Sequence, residues 1–145
     1  MLPSHYLNVR CEIMFPPELE RDAFRTENGE LGWAHDQIPQ VVNVLRSQEL
    51  AILGGELWWV KDGSADCDLH IPQRDGRRTV YVWSSDRLPA EPWTDFVERG
   101  AADALARLER WPTDLDLPPD LKGHVLCSLS WVSRLEFDQL RKTKP

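Results

Sequence analysis

The stretch that decides the fold of this chain is LAILGGELWWV, residues Leu50–Val60. It is an apolar run interrupted by Gly54-Gly55, it carries the adjacent indoles of Trp58 and Trp59, and a Lys-Asp-Gly turn signal follows it. Adjacent side chains of a strand point to opposite faces of a sheet, so the two indoles cannot enter the same layer. We therefore expect either a strand covered on both faces or a strand with one indole on a surface that binds a partner.

Four further segments are predicted as strands. They are Tyr6–Phe15, Asp66–Ile71, Thr79–Ser84 and His124–Ser133. The first and last alternate between apolar and polar side chains, as a half-buried strand does. The second and third follow Leu50–Val60 along the chain with Asp-Gly in both connections, which predicts an antiparallel meander.

Helical patterns fill the intervals between these strands. A short charged helix is expected at Glu18–Thr26, and another short helix from Leu135. Asp36 is expected to cap a helix that runs through Ser47, because an apolar stripe at i, i+3, i+4 and i+7 begins at Ile38.

The clearest helical pattern is Pro92–Trp111, which has proline at its first position and a continuous apolar stripe. Pro112 is expected to end it. We expect Ala104 and Leu105 to be buried, and the charged residues Arg99, Asp103 and Arg107 to be exposed. The order β-α-α-β-β-β-α-β predicts an α+β fold, a mostly antiparallel sheet with helices packed on one face.

Length and composition indicate a globular protein. The 145 residues predict one domain spanning residues 1–145, and 41% hydrophobic with 28% charged residues is an ordinary balance. Seven tryptophans are many for this length, and we expect most of them to lie in the core. The net charge of −7 disfavours nucleic acid as a partner and favours a basic partner.

The N-terminal residues lack the pattern of a signal peptide, and no apolar run is long enough to predict a membrane span. Three widely spaced cysteines argue against a disulfide framework and for a reducing compartment. A cytoplasmic location is the expectation, with no membrane partner.

Neither a metal nor a cofactor is expected. Cys67-x-x-His70 and His124-x-x-Cys127 have the spacing of zinc half-sites. Both pairs fall in predicted strands, where an odd spacing directs the two side chains to opposite faces.

Asp66, Asp68 and His70 share the polar face of one predicted strand. Three interpretations stay open: a general acid–base group, a solvated sheet face, or an acidic surface for a basic partner. Glu56 directly follows Gly54-Gly55, where a bulge or the close approach of another backbone segment is expected. A bulge would re-aim the Glu56 carboxylate.

The centre of the chain resembles the small immunity proteins of bacterial polymorphic-toxin and contact-dependent inhibition systems. The residues that carry the resemblance are GGELWWV (Gly54–Val60), VYVW (Val80–Trp83) and WTDFVERG (Trp93–Gly100). The resemblance implies a cytoplasmic protein that binds and neutralises a cognate toxin, for which a nuclease is one candidate. These motifs are structural, so no binding residue is carried over from the family.

Two functions are therefore carried forward. The first is an immunity protein with no catalysis of its own, which occludes a cognate toxin. The second is a small ligand-binding domain or enzyme with an acidic pocket lined by Trp58 or Trp59. Partner contacts are expected at six positions of the central segment and its turns: Glu56, Asp62, Asp66, Asp68, His70 and Asp86.

Overall fold

A computed structural model of the chain describes residues 15–61, 64–66, 71–79, 81–118 and 124–143. Within these ranges lie the helices α1 (Pro17–Asp22), α2 (Ile38–Ser47), α3 (Trp93–Asp114) and α4 (Arg134–Thr143). The strands are β1 (Phe24–Arg25), β2 (Leu31–Gly32), β3 (Ala51–Lys61), β4 (Ser64–Asp66), β5 (Ile71–Pro72), β6 (Arg78–Thr79), β7 (Val82–Ser84) and β8 (His124–Val132). Helices and antiparallel strands make the fold α+β, as predicted. The predicted strand Tyr6–Phe15 lies outside the described residues except for Phe15.

β3 is the centre of the main sheet. β8 pairs with it antiparallel along its whole length, from Ala51↔Val132 to Val60↔His124. β7 and β4 share the other edge of β3, at residues 54–56 and 59–61 respectively. The predicted meander is found only in part. The second and third segments pair where Ile71 faces Thr79, but Val82–Ser84 of the third segment return to pair with β3. β5 and β6 form a separate pair.

One face of the sheet, here called the helix face, is packed against α2 and α3. The predicted apolar stripe of α2 is confirmed, since all four of its residues are buried: Ile38, Val41, Val42 and Leu45. They join residues of α3, β3 and β8 in the main core. Gly100 of α3 lies so close to β3 that a Cβ there would be 2.8 Å from the Ile52 carbonyl oxygen.

The charged and apolar sides of α3 follow the sequence pattern only in part. Ala104 is buried as predicted and Arg107 is exposed. Leu105 is half-buried and packs at the edge of the main core. Arg99 and Asp103 are half-buried rather than exposed, because the segment that follows β7 lies against them.

The opposite face, here called the hairpin face, carries Trp58 and Val60 of β3 and Leu126 of β8. Phe24 and Ala34 pack on this cluster. The β1–β2 hairpin approaches so closely that a Cβ at Gly32 would be 2.8 Å from the Trp58 ring. Trp58 is fully buried here, whereas Trp59 packs against the main core on the helix face. The question raised by the adjacent indoles is thus answered: β3 is covered on both faces at this position.

The hairpin also explains an error in the first predicted helix. α1 stops at Asp22, and the chain then turns through Asn28-Gly29 to pair Phe24 with Gly32. Phe24 packs edge-on against Trp58, with ring centroids 6.4 Å apart. This tertiary contact favours the extended conformation over continuation of the charged helix.

The start of α2 differs from the prediction as well. Asp36 does not cap the helix, because His35–Gln37 forms one turn of 3-10 helix and α2 begins at Ile38. No side chain makes the capping hydrogen bond at Gln37, the N-cap residue.

Pro112 does not end α3, which continues to Asp114. A proline lacks the N–H that would bond to the carbonyl four residues earlier, here that of Leu108. The His35 ring Nε2 lies 3.0 Å from that oxygen, a distance at which the Nε2–H tautomer donates to it. A side chain from a distant segment thus takes over the missing helical hydrogen bond.

α4 begins with a capping box. The Ser133 hydroxyl accepts a bond from the Glu136 N–H at 3.1 Å, and the Glu136 carboxylate accepts one from the Ser133 N–H at 3.0 Å. Phe137 of this helix packs with Trp93 and Phe96 at the start of α3. Among the described residues, no helix is both long enough and apolar enough to cross a membrane.

Candidate interaction surface

The hairpin face is covered at Trp58 and again at Ala51 and Val132, and it is less covered between them. Beyond Trp58 the register places Val82, Glu56 and Ser128 in one row across β7, β3 and β8. The next row is Ser84, Gly54 and Ser130. Paired residues present their side chains to the same face, so these two rows, here called the open half, continue the face that carries Trp58.

Exposure within the open half increases toward β7. Val82 is 63% exposed, which is high for a β-branched residue within a sheet, and Ser84 is also exposed. Glu56 and Ser130 are half-buried, and Ser128 is buried. The accessible part of this surface is therefore the strip that joins Glu56 to β7.

Glu56 is held in place at the boundary between the covered and open halves. The indole Nε1–H of Trp58 donates to its Oε1 at 2.9 Å. Because Trp58 is fully buried, this bond fixes the carboxylate against a rigid support. Burial, and secondarily the charge of Glu56, raises the pKa of Glu30, so a second carboxyl group lies within electrostatic reach.

The bulge predicted at Gly54-Gly55 is confirmed. The register between β3 and β8 shifts between Ile52 and Gly54. Gly54 has φ +152°, and a Cβ there would lie 2.1 Å from the Trp83 carbonyl oxygen. Only glycine permits this close approach of β7, which pairs Val82 with Glu56 two residues further along β3.

Asp86 lies just beyond the C-terminal end of β7 and is exposed. Its backbone carbonyl accepts a hydrogen bond from Arg99 Nη2. Arg99 also forms a two-pronged ion pair with the carboxylate of Glu91, at 2.8 and 2.9 Å. This guanidinium holds the pKa of Glu91 at about 2 and fastens the segment that carries Asp86 to α3.

The other predicted contacts are Asp62, Asp66, Asp68 and His70. Asp62, Asp68 and His70 lie outside the described residues. Asp66 pairs with Trp59, a register position on the face opposite to Glu56. The register thus assigns Asp66 and Glu56 to opposite faces of the sheet, because the odd spacing between Glu56 and Trp59 changes the face.

No tryptophan is exposed, although all seven lie within the described ranges. Trp59 is half-buried. The other six are buried: Trp33, Trp58, Trp83, Trp93, Trp111 and Trp131. The expectation that most would serve the core is confirmed. The surplus of indoles is consequently no argument for aromatic anchors on this surface.

Cys127 is a free thiol on the helix face of β8, paired across the sheet with Leu57. Burial, and secondarily the charge of Glu56, raises its pKa to about 12, so the thiol stays protonated at neutral pH. Over the described part of the chain, no group of three or more histidine, cysteine or acidic residues could hold a metal ion.

Four residues of the open half were not predicted from the sequence: Val82, Ser84, Ser128 and Ser130. A signal for Ser130 was present in Cys127-Ser-Leu-Ser-Trp131, where serines alternate with core residues. Such alternation indicates a strand with one face left out of the apolar core. The exposure of Val82 had no comparable signal, because its neighbours in VYVW are all apolar or aromatic.

Comparison of the chain with protein-family models, with curated proteins and with solved structures finds no match.

Proposed function

We propose that this chain is a binding protein that acts as an immunity protein, neutralising a cognate toxin by covering its functional surface. The observation that carries the proposal is the open half, where an exposed Val82 lies beside a carboxylate fixed by a buried indole. Exposed apolar surface next to oriented polar groups is typical of recognition sites.

Charge indicates the chemistry of the partner. The net charge of −7 and the carboxylates at Glu56 and Asp86 favour a basic surface. A toxin that acts on nucleic acid would need a basic cleft for phosphates, and fixed carboxylates can occupy that cleft in their place. Electrostatic attraction would also speed the encounter, which an inhibitor inside the producing cell requires.

The partner would be bound by residues other than the tryptophans that the composition suggests as anchors. Because the indoles are in the core, recognition here would depend on carboxylates and on the small residues of β7. The serines allow a partner to approach the sheet closely. Occlusion by such a surface requires no chemistry from the chain itself.

The competing function, a pocket lined by Trp58 or Trp59, has less support. Trp58 is fully buried between Phe24, Gly32 and Leu126, so it lines no open pocket. Trp59 is half-buried and packs against the main core, with the Lys61 ammonium 6.0 Å from the centre of its ring.

The test is co-expression with the toxin candidate encoded by the neighbouring gene. The wild-type chain should restore growth, and the variant Glu56→Lys, alone and with Asp86→Lys, should restore it poorly. Glu109→Lys is the matched control, because it makes the same charge change on the exposed side of α3. Circular dichroism and thermal melting establish that each variant is folded.

Full protection by a folded Glu56→Lys, Asp86→Lys variant would place the interface elsewhere. Equal loss of protection in the Glu109→Lys control would show that total charge matters and the open half does not. Turnover of a substrate by the isolated chain would contradict occlusion.

A further inference from the structure

β7 lies at an edge of the main sheet. It pairs with β3 on one side, and no strand in the described part of the chain pairs with its other side. The pairing with β3 continues past both ends of β7. The Leu57 N–H donates to the Tyr81 carbonyl at 3.0 Å, and the Ser85 N–H donates to the Leu53 carbonyl at 2.7 Å.

The backbone groups of Val82 and Ser84 point to the free side of β7. In an antiparallel pair, every second residue directs its N–H and C=O to the neighbouring strand. Tyr81 and Ser85 direct theirs to β3, so the two even-numbered residues between them direct theirs away from it. No described residue bonds to these four groups. The segment Tyr81–Ser85 also lacks the charged residues and prolines that protect many edge strands from the addition of another strand.

The surroundings of this edge are open on both faces of the sheet. On the hairpin face Val82 is 63% exposed, and Ser84 is exposed as well. On the helix face a space of about 160 Å³ lies between the end of β7 and α3, bordered by Ser85, Ala106 and Arg107 among others. An added strand would direct its side chains alternately to the two faces, and both sets would have room.

The side chains on the hairpin face indicate the chemistry of such a strand. Glu56 pairs with Val82, and a residue added beside Val82 would lie two strand spacings from Glu56, about 10 Å between backbones. An arginine or lysine there can lay its aliphatic stem over Val82 and extend its charge to the Glu56 carboxylate, which the Trp58 indole holds in place. The next row contains only glycine and serines, which leaves room for a bulky side chain.

We propose that the free edge of β7 binds an extended segment of a basic partner protein as a further antiparallel strand. The inference rests on the proposed function, in which this segment belongs to the toxin. The segment carries an arginine or lysine beside Val82 and a bulky residue beside Ser84, and its backbone bonds to both. A second copy of the chain is a poorer occupant, because each copy has a net charge of −7 and β7 holds no basic residue that could reach Glu56.

The experiment is a titration of the full ¹⁵N-labelled chain with the peptide acetyl-Thr-Tyr-Thr-Arg-Thr-Thr-amide. In an antiparallel register its arginine lies beside Val82 and its tyrosine beside Ser84. We expect saturable shifts of the amide signals of these two residues and slower exchange of both amide protons with deuterium. The same peptide with glutamate in place of arginine should bind about tenfold more weakly, because its charge repels Glu56. Absence of saturable shifts at the two amides with the arginine peptide would overturn the proposal.

Ser84→Pro tests the backbone contact. Proline is tolerated on an edge strand where the lost N–H faces away from the paired strand, so the variant should fold. It should weaken binding of the arginine peptide by about tenfold or more, and Ser84→Ala, which keeps the N–H, should weaken it less. Wild-type affinity in a folded Ser84→Pro variant would overturn the proposal. If thermal melting shows that Ser84→Pro is unfolded, the shifts and exchange rates of the wild type decide.

Glu56→Gln tests the charged contact. It should remove most of the preference for the arginine peptide over the glutamate peptide, and an unchanged preference would contradict a basic side chain beside Val82. Sedimentation of the full chain tests the other occupant. We expect a monomer, and a dimer that Ser84→Pro dissociates would show that a second copy occupies the edge, which would overturn the proposal.

The titration uses no toxin, so strand addition and toxin neutralisation can fail separately. Wild-type rescue of growth without peptide binding would leave the immunity function standing and overturn strand addition. Peptide binding without rescue of growth would contradict the immunity function alone. Full protection by a folded Ser84→Pro variant would show that the toxin is not bound as an added strand.

Discussion

The two halves of the hairpin face belong to the same three strands, yet one is sealed and the other is accessible. At Trp58 the β1–β2 hairpin packs on the sheet and leaves the indole no exposure. Two residues away along β3, Glu56 is half-buried, and its neighbour Val82 is 63% exposed. The difference shows that a strand's alternation predicts which residues share a face, but not how much of that face will be covered.

Side-chain chemistry accounts for the difference. The covered half presents Trp58, Val60 and Leu126, whose apolar area stabilises the fold only when it is removed from water. The rows of the open half contain glycine, serines and a carboxylate, so covering them would stabilise little and would require hydrogen-bond partners. Val82 is the exception, and it is the residue that an interface would use.

The largest expected effect on stability comes from removing the Trp58 side chain from the covered half. Trp58→Ala should lower the free energy of unfolding by about 3–5 kcal/mol, the range for a large aromatic side chain lost from a core. Val82→Ala, in the open half of the same face, should change it by less than about 0.5 kcal/mol. Urea unfolding measures both, and similar losses in the two variants would remove the distinction between the halves.

Gly32→Ala tests the close approach of the hairpin. The added methyl group would lie 2.8 Å from the Trp58 ring, so we expect a loss of about 1–3 kcal/mol from overpacking. In a Trp58→Phe background the ring atoms nearest to Gly32 are absent, and the same substitution should cost less. An identical cost in both backgrounds would show that the hairpin does not rest on the indole.

A smaller, pH-dependent effect on thermal stability is expected from the ion pair between Arg99 and Glu91, beyond the end of β7. Arg99 depresses the pKa of Glu91 from 4.5 to about 2, so the stabilisation from this ion pair is complete above pH 4.5 and is lost as the pH falls toward 2. Thermal melts of Glu91→Gln should show a lower melting temperature at neutral pH and a difference from wild type that shrinks over that range. Glu109→Gln is the control, and a constant difference at every pH would contradict the depressed pKa.

The smallest expected effect is a change in the pKa of Glu30, caused by a substitution of Glu56 at the boundary between the covered and open halves. Glu56→Gln should lower the pKa of Glu30 toward its ordinary value, because the Glu56 charge is the second cause of its elevation after burial. The free energy of unfolding should change by less than about 1.5 kcal/mol, since the glutamine carbonyl can still accept from Trp58. NMR titration of Glu30 measures the shift, and an unchanged pKa would show that the two carboxyl groups do not interact.

Elements that depend on local pattern were predictable. The apolar stripe of α2, the core role of the tryptophans and the bulge at Gly54-Gly55 follow from residue spacing and from the chemistry of single residues. Elements that depend on a distant partner were not. Nothing near Pro112 indicates that His35 lies beside the Leu108 carbonyl and lets the helix continue.

The residues of the candidate surface divide in the same way, into those predicted by the local sequence and those placed by contacts with distant segments. Glu56 was predicted from its place beside two glycines, and its bond to Trp58 follows from a spacing of two residues within one strand. Asp66 was another expected partner contact, and its place opposite Trp59 follows only from the pairing of β4 with β3.

The sequence by itself determined the α+β class, the placement of two adjacent indoles on opposite faces of one strand, and the net charge that favours a basic partner. These properties follow from the period of the backbone and from composition, which are local or additive. Only the tertiary structure decided that β7 returns to β3, that the β1–β2 hairpin covers Trp58, and that Val82 beside Glu56 stays exposed. Strand order and coverage depend on which distant apolar surfaces pack best together, and that competition involves the whole chain at once.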